Sequence, residues 1–374
     1  MENKMDMTFN YPSLLINKNI AIGNIKVMAE KASSLGKDLR PHFKTHQSAE
    51  IGEWFREYGI DKIAVSSPQM AAYFAEHGWN DILIAFPVNI REIDLINQLA
   101  NKITLGICIS DLKVVEKLVN EIVAETDIWI ELDVKYYRSG IDFSDTEGLQ
   151  NIVSKIKKNS KLNFKGLMVH KGDHYTTNVE LQKQKHFEAI EIIQNVREFM
   201  DKYSENYIVS YGDTPSCSSF DKFDGVDELR PGNFVFYDFM QVSFQACDLN
   251  NIAVCLSSPV VATYEDSRKV ITYGGAVHLA KDFISGEQES FGKVVRLRSD
   301  GWDTKIVGNV DKVSQEHGII TWNEDEDLPL PGEVVGILPV HSCHTASTMG
   351  CYYDLNGIKI NRFNVADLGH YQKI

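Results

Sequence analysis

The sequence predicts an α/β protein: a (β/α)8 TIM barrel followed by an all-β C-terminal domain. Over roughly the first two-thirds of the chain, short β-rich runs alternate with segments of helical periodicity, and such alternation builds βαβ units around a parallel sheet. The strand-like runs number eight, which suits a closed barrel better than an open doubly wound sheet. After about residue 246 the helical periods end, and extended runs separated by turn-forming residues continue.

Each barrel strand is predicted from a β-rich run bounded by turn-forming residues. The eight runs are 38–45, 62–67, 81–88, 104–110, 127–134, 163–172, 208–212 and 228–238. Ile25, Met28 and Ala32 repeat at helical spacing before the first run, which predicts a helix there. The extended runs of the second domain are 253–264, 269–276, 293–297, 305–313, 319–322 and 333–340. The chain is therefore predicted to form a barrel over 12–245 and a β domain over 246–374, on which the N-terminal residues can also pack.

Composition and charge narrow the classes of function. The chain has 374 residues, 43% of them hydrophobic, so it can bury a large core. A formal net charge of −14 argues against a nucleic acid or an anionic membrane as partner. Six cysteines without a framework spacing, and no apolar run long enough to span a bilayer, predict a reduced, cytoplasmic protein.

The first candidate site residue is a lysine at the end of the first predicted strand. Functional side chains of βα barrels gather at the carboxyl ends of the strands. Residues 40–46 read Arg-Pro-His-Phe-Lys-Thr-His, so Lys44 lies between two histidines at such an end. A lone lysine is most often a plain surface residue. The functional alternative is an amine of lowered pKa that forms an imine with an aldehyde cofactor.

A second candidate follows the seventh predicted strand. Residues 210–218 include Gly212, Thr214, Ser216 and Ser218 just before a predicted helix. Backbone N–H groups and hydroxyls at a helix N-terminus suit a phosphate dianion. An ordinary strand-to-helix turn with an N-cap explains the same residues, so the pattern leaves both interpretations open.

The sharpest local cluster is His-Ser-Cys-His-Thr over residues 341–345. On an extended strand, His341 and Cys343 project to the same side and can share one ion, while His344 faces the other way. Imidazole with thiolate favours zinc among the common divalent ions, and two protein ligands suit an open site completed by water or substrate. The alternative is a reduced core cysteine beside an incidental histidine.

Together these segments resemble one family, the fold-type III pyridoxal-phosphate (PLP) enzymes of the D-serine dehydratase and D-threonine aldolase group. The lysine segment of that group reads Arg-Pro-His-x-Lys-Thr-His, as residues 40–46 do here. The resemblance continues in the same order through Arg138, residues 170–175, the Thr214-Pro215 turn, residues 230–232 and the His-x-Cys pair. It implies an alanine racemase-like barrel with a β domain, working as a homodimer on a small D-amino acid.

The resemblance also implies roles for the matching residues. Lys44 would carry pyridoxal 5'-phosphate and act as a base toward the substrate, and Tyr175 would assist proton transfer. The implied cofactor-binding residues are Lys44, Arg138, Tyr211, Gly212, Asp213, Thr214 and Tyr237. Of these, Arg138 would hold the phenolic oxygen of the cofactor ionised, and Tyr237 would lie on the ring-nitrogen side.

The activity that the resemblance implies is a metal-assisted lyase reaction on D-3-hydroxy amino acids. His341 and Cys343 match the metal pair of the dehydratase branch, with zinc as the first choice and manganese or magnesium as alternatives. This match favours dehydration of the D-serine type, which gives a 2-oxo acid and ammonia. The nearest rival is retro-aldol cleavage of the D-threonine aldolase type to glycine and an aldehyde. An amino-acid racemase or a non-catalytic PLP carrier is a more distant alternative.

The sequence departs from the family pattern near the expected cofactor loops. Lys135 stands where the family often has glycine, Tyr211 where it prefers a second glycine, and Gln47 where it prefers lysine. Cofactor binding is still expected with these residues, but they leave the side chain of the substrate open.

Overall fold

The computed structural model describes residues 9–284, 289–364 and 369. The chain divides into two compact units, and each contains one nine-stranded sheet. The barrel unit comprises Val27–Gly232 with Phe363–Ile374, and the β unit comprises Met1–Lys26 with Asn233–Arg362. The predicted boundary after residue 245 falls inside the β unit, and the division into 12–245 and 246–374 stays a prediction.

The barrel unit is built on parallel strands that follow one another around a ring. The first strand, β1 (Ser13–Ile16), belongs to the other sheet, and α1 (Lys18–Ser34) follows it. The strands of the barrel unit are β2 (Asp38–Leu39), β3 (Lys62–Val65), β4 (Asp81–Pro87), β5 (Thr104–Ile109), β6 (Thr126–Asp133), β7 (Ile141–Asp142), β8 (Leu162–Val169), β9 (Ile208–Tyr211) and β10 (Glu228–Leu229). Their order in the sheet is β2-β10-β9-β8-β6-β5-β4-β3, with β7 paired to β6. A parallel bridge between His42 and Ala64 joins the chain after β2 to β3 and completes the ring. The predicted (β/α)8 barrel is confirmed.

Helices alternate with these strands. They are α2 (Ala49–Arg56), α3 (Pro68–Glu76), α4 (Ile93–Ala100), α5 (Leu112–Glu121), α6 (Thr146–Ile156), α7 (Val179–Met200) and α8 (Thr214–Ser219). Ser48, Ser67, Asp111, Asp145 and Asn178 accept hydrogen bonds from backbone N–H groups at helix starts, so the short polar residues of the loops fix where the helices begin. Among the described residues, no helix combines the length and the apolarity needed to cross a membrane.

The first and eighth barrel strands are shorter than predicted. β2 and β10 have two residues each, against predicted runs of 38–45 and 228–238. Pro41 and Pro231 follow them closely and, lacking an N–H, interrupt the ladder of hydrogen bonds. The end of the predicted run 228–238 instead forms a 3-10 helix at Asn233–Val235. The helix α9 (Phe239–Ser243) follows directly after this run.

The inside of the barrel holds an apolar cluster and a buried ion pair. Ala64, Leu83, Cys108, Trp129 and Met168 form the cluster. The Nε atom of Arg40 donates to both carboxylate oxygens of Glu228 at 3.0 Å, and its Nη1 atom donates to Asp81 at 2.6 Å. Because Asp81 and Glu228 begin β4 and β10, this ion pair belongs to the amino ends of the strands. The carboxyl ends are left for other side chains.

The β unit contains the second sheet. Its strands after β1 are β11 (Val254–Tyr264), β12 (Lys269–Tyr273), β13 (Gly292–Arg298), β14 (Gly301–Val313), β15 (His317–Trp322), β16 (Val334–Pro339), β17 (Cys351–Asp354) and β18 (Lys359–Asn361). The short helices α10 (Ala276–Leu279) and α11 (Ser342–Met349) lie between strands. All six predicted extended runs correspond to strands, and the predicted all-β domain is confirmed apart from these helices. Buried side chains of Leu256, Val270, Val310, Ile320 and Ile337 belong to its core.

Candidate active site

Lys44 lies in the turn that follows β2. Its neighbour Phe43 is fully buried and packs edge-on against Phe74 and Trp79, with ring centroids 5.0 Å apart in both pairs. Thr45, on the other side, is also fully buried. Because both neighbours are held in the interior, the exposed side chain of Lys44 projects from a fixed turn.

The charge of Lys44 acts on two imidazole rings, those of His42 and His170. The backbone N–H of Lys44 donates to Nδ1 of His42 at 3.3 Å. Burial, reinforced by the charges of Lys44, Arg230 and His170, lowers the pKa of His42 well below its ordinary value. His42 is therefore neutral at physiological pH.

His170, at the end of β8, is held in a defined tautomer. Its Nδ1 atom lies 2.8 Å from the carbonyl oxygen of Gly212, and since a carbonyl only accepts, Nδ1 carries the proton. Burial lowers the pKa of His170 to about 4; the Asp213 charge opposes the shift, and the Arg138 and Lys44 charges add to it. Lys44, Arg138, His170 and Gly212 thus belong to one electrostatically coupled region.

The low pKa of His170 makes stability depend on pH. Between about 4 and 6.5 the unfolded chain binds a proton at this ring and the folded chain does not. The neutral ring of His170 therefore makes its full contribution to the free energy of unfolding above pH 6.5, and this contribution is lost as the pH falls toward 4. We expect His170→Gln to reduce the acid-side loss in the free energy of unfolding by up to about 3 kcal/mol. Urea denaturation of the cofactor-free protein from pH 7 to 4 measures the free energy of unfolding. Replacement of the exposed His317 by glutamine is the control. Identical pH profiles for wild type and His170→Gln would contradict the prediction.

Arg138 follows β6 and is tethered by a buried carboxylate. Nη2 of Arg138 lies 3.5 Å from Oε1 of Glu131, whose two oxygens also accept from Ser110 at 2.5 Å and Ser139 at 2.9 Å. The guanidinium lies 5.2 Å from the ring centroid of Tyr136. Its side chain is half exposed, so the cation is held in place while it can still meet a ligand.

The turn before Arg138 explains one departure from the family pattern. Lys135 has a φ of 68°, in the left-handed region where glycine carries no steric penalty. Its Nζ atom reaches Oε1 of Glu188 on α7 at 2.6 Å. The lysine therefore adopts the backbone conformation that favours glycine, and its side chain is engaged by a helix.

The loop after β9 brings backbone atoms close together. A Cβ atom on Gly212 would lie 2.5 Å from the carbonyl carbon of Arg230, so only glycine fits. Asp213 caps α8 by accepting from the Ser216 N–H at 2.7 Å, and Thr214 is buried. The N–H of Gly212 donates to the carbonyl of Val169 at 3.2 Å, and Asp213 is the N-cap residue of α8. The phosphate-loop interpretation of this turn stays a prediction.

The side chain of Tyr211 is buried and bonded to the start of α8, because its hydroxyl donates to Oγ of Ser216 at 3.3 Å. Its ring is fully buried, 6.0 Å from His186 and 5.9 Å from Phe223 by ring centroids. The ring therefore packs among residues of and near α7, and the role of Tyr211 in cofactor binding stays a prediction.

Two further predicted residues are tyrosines. Tyr175 ends the 3-10 helix Gly172–His174 after β8, and 39% of its surface is exposed. Tyr237 belongs to the β unit, where it is buried and adopts a φ of 47°. Its N–H donates to the carbonyl of Asn233 at 2.7 Å, which closes a tight turn.

His341 and Cys343 lie at the start of a helix, so the predicted extended strand is wrong. His341 is the N-cap residue of α11 and Cys343 is in its first turn. His341 and Cys343 still share a hydrogen bond. Burial alone would lower the pKa of His341, but hydrogen bonds with Asp282 and Cys343 raise it to about 11.

His344 and Asp282 join this cluster, although neither was a predicted ligand. His344 lies one helical turn after His341, with ring centroids 4.1 Å apart, so the expectation that it faces away is also wrong. Ligand atoms of Asp282, His341 and His344 lie within 4.8 Å of one another. The spacing of the two histidines on the helix brings their rings together, and the carboxylate of Asp282 comes from a part of the sequence 59 positions before His341.

The start of α11 is anchored by a buried aspartate. Oδ2 of Asp238 accepts from the Ser342 N–H at 3.0 Å and from Nδ2 of Asn233 at 2.8 Å. The same Asn233 amide lies 3.5 Å from Sγ of Cys343. These bonds fix the thiol and the backbone that carries His341.

The residues fit the groups that the sequence motifs imply. The barrel unit offers an amine at Lys44, a tethered cation at Arg138 and a close-packed backbone loop at Gly212, as an aldehyde bearing a phenolic oxygen and a phosphate requires. The β unit offers imidazole and thiol donors at His341 and Cys343, which suit a borderline-soft divalent ion.

Comparison with known proteins gives two family matches. A model of the alanine racemase N-terminal domain matches residues 16–238, which is more than half of the chain. A serine dehydratase domain matches residues 253–355.

Individual relatives agree with these matches. D-serine dehydratase from Dictyostelium discoideum is 27% identical, over 95% of this chain and 96% of that protein. D-threo-3-hydroxyaspartate dehydratase from Delftia sp. (strain HT23) is 25% identical, over 93% and 95%. Its solved structure has a TM-score of 0.86 at 23% identity, covering 96% of this chain and 98% of that one, and a cysteine-to-alanine mutant of it is named as a metal-free form.

The sequence similarity to an aldolase is narrower, although the solved structure of D-threonine aldolase from Filomicrobium marinum covers 96% of this chain with a TM-score of 0.80 at 20% identity. D-threonine aldolase from Arthrobacter sp. is 26% identical over 61% of each chain. The barrel topology, the matched N-terminal domain and the ordered motifs all agree. The chain therefore belongs to the alanine racemase-like, fold-type III family of pyridoxal-phosphate enzymes.

Proposed function

We propose that this chain is a PLP-dependent, metal-assisted lyase that dehydrates D-3-hydroxy amino acids, with D-serine as the type substrate, to a 2-oxo acid and ammonia. The observation that carries the proposal is the extent of the similarity. In sequence, the two dehydratases align with at least 93% of the chain, whereas the D-threonine aldolase from Arthrobacter sp. aligns with 61%. The serine dehydratase match also covers the segment that holds His341 and Cys343.

In the proposed reaction, Lys44 binds the cofactor and then moves the α-proton. When bound, pyridoxal phosphate supplies an electron sink for negative charge at Cα of the substrate. The side chain of Lys44 accepts the proton from that carbon. Because their pKa values are lowered, His42 and His170 are weak bases, and we assign the proton exchange to Lys44.

The remaining predicted residues have supporting roles in the proposal. Arg138 keeps the phenolic oxygen of the cofactor ionised, and Tyr175 assists proton transfer. The turn formed by Tyr211, Gly212, Asp213 and Thr214 holds the phosphate, and Tyr237 faces the ring nitrogen. We also propose that the enzyme is cytoplasmic and that it is a homodimer. Light scattering of the purified protein tests the homodimer.

His341 and Cys343 hold a divalent metal in this proposal. Zinc is the first choice because a thiolate ligand favours it over magnesium or manganese. A metal there would supply Lewis acidity toward the β-hydroxyl of the substrate, which leaves as hydroxide during dehydration.

Product analysis tests the proposal. The purified enzyme is incubated with D-serine, D-threonine or D-threo-3-hydroxyaspartate, with L-serine as the control substrate. We expect D-serine to give pyruvate and ammonia in equal amounts. Removal of metal with a chelator is expected to lower kcat by about 10²-fold or more, and added zinc to restore it, since Lewis-acid stabilisation is worth several kcal/mol.

The alternatives give different products. Glycine with acetaldehyde from D-threonine would assign the aldolase reaction. Interconversion of D- and L-serine without pyruvate would assign a racemase. Bound cofactor with no turnover of any substrate would indicate a PLP carrier, and each of these results would contradict the dehydratase proposal.

A further inference from the structure

One carboxylate is shared by two histidines in the β unit. Oδ2 of Asp282, which follows α10, lies 3.0 Å from Nδ1 of His341 and also accepts from Nδ1 of His344. A carboxylate oxygen only accepts hydrogen bonds, so Nδ1 of each ring carries a proton. Asp282 thus determines the tautomer of both rings.

This hydrogen bond determines which atom of His341 can bind a metal. With Nδ1 protonated, only Nε2 of the neutral ring has a lone pair. The carboxylate also restricts rotation of the ring about its χ angles and makes Nε2 more electron-rich. Metal-binding histidines gain affinity from such carboxylate partners, typically by a factor of about 10 to 100.

We propose that Asp282 is the positioning residue of the metal site: it holds His341 so that Nε2 binds the ion, and it does not bind the ion itself. This inference rests on the proposed metal role of His341 and Cys343. It extends that role by a residue from a loop 59 positions before His341 in the sequence.

His344 is the second donor to Asp282, and it is not a metal ligand in this proposal. Its side chain is 56% exposed, against 29% for His341. An ion bound between Oδ2 of Asp282 and the two Nδ1 atoms would replace both of these hydrogen bonds. It would also leave unused the thiol of Cys343, which Asn233 holds in place.

Zinc affinity tests the proposal without relying on turnover. The PLP-loaded protein is stripped of divalent metal, and zinc binding is measured by competition with a chromophoric chelator. Asp282→Ala and Asp282→Asn are the test variants, His341→Ala is the loss control, and His344→Ala is the matched control on the same carboxylate. Cofactor absorbance and the melting temperature of the metal-free protein report folding.

We expect His341→Ala to abolish tight binding and Asp282→Ala to raise the zinc Kd by about 10- to 100-fold. Asp282→Asn is expected to recover part of this affinity, because its amide oxygen still accepts from Nδ1 but carries no charge. His344→Ala is expected to bind zinc within about 3-fold of wild type, since Asp282 keeps its bond to His341.

Two results would overturn the inference alone. One is wild-type affinity in both Asp282 variants while His341→Ala loses zinc. The other is a loss in His344→Ala as large as that in His341→Ala, which would make His344 a ligand. A wild-type protein that binds no zinc, manganese or magnesium would overturn both this inference and the metal-assisted function. If Asp282→Ala loses the cofactor spectrum, Asp282→Asn supplies the decisive comparison.

Discussion

Replacing Lys44 by alanine is expected to abolish covalent attachment of the cofactor and to lower kcat/KM by about 10³-fold or more. The variant loses both the amine that bonds to the cofactor aldehyde and the base that moves the α-proton. Folding should be little affected, because the Lys44 side chain is exposed while Phe43 and Thr45 fill the interior. Borohydride reduction followed by peptide mapping measures the attachment, and pyruvate release measures the rate.

A second lysine controls for the loss of charge. Lys165 on β8 pairs with Asp127 at 3.6 Å and its side chain is 36% exposed. Lys165→Ala should keep the colour, the borohydride label and the rate of wild type. A Lys44→Ala protein that still acquires the label at any single lysine would show that another amine holds the cofactor, and the assignment of Lys44 would fail.

Most of the barrel could be predicted because its signals are local. β5 is apolar from Leu105 to Ile109, and its ends agree with the predicted run 104–110 within one residue. β1 could not be found in this way. Its apolar run of three residues, Leu14 to Ile16, is too short to be told apart from other structure, and its pairing partners β11 and β17 lie hundreds of positions later in the chain.

The site residues likewise differ in whether a local sequence signal marks them. Lys44 could be found because a seven-residue motif surrounds it. Asp282 could not, because it meets His341 only through the fold. The helical start of α11 did leave a local signal: Gly350 ends that helix with a φ of 73°, as C-terminal glycines often do. A helix ending there would have placed His341 and His344 on one face.

The lysine motif also contains a residue whose role is stability. Arg40 is 3% exposed and its partner Glu228 is fully buried, so removing the cation leaves a carboxylate without its main partner in the interior. We expect Arg40→Met to lower the free energy of unfolding by about 3–5 kcal/mol. Lys62 is 3.9 Å from Glu228 and compensates only in part, since it cannot replace the bond to both oxygens. Urea denaturation followed by tryptophan fluorescence measures the loss.

Comparison of variants separates the ion pair from the packing around it. Arg40→Met combined with Glu228→Met should regain most of the lost stability, because a buried pair exchanged for apolar side chains is often neutral. Asp81→Asn, at a carboxylate that is 42% exposed, should cost no more than about 1 kcal/mol. A double variant as unstable as Arg40→Met would show that the arginine acts through its shape and not through its charge. Since the ion pair lies at the amino ends of the strands, kcat of the folded Arg40→Met protein should match wild type, while Lys44, four residues later, controls the chemistry.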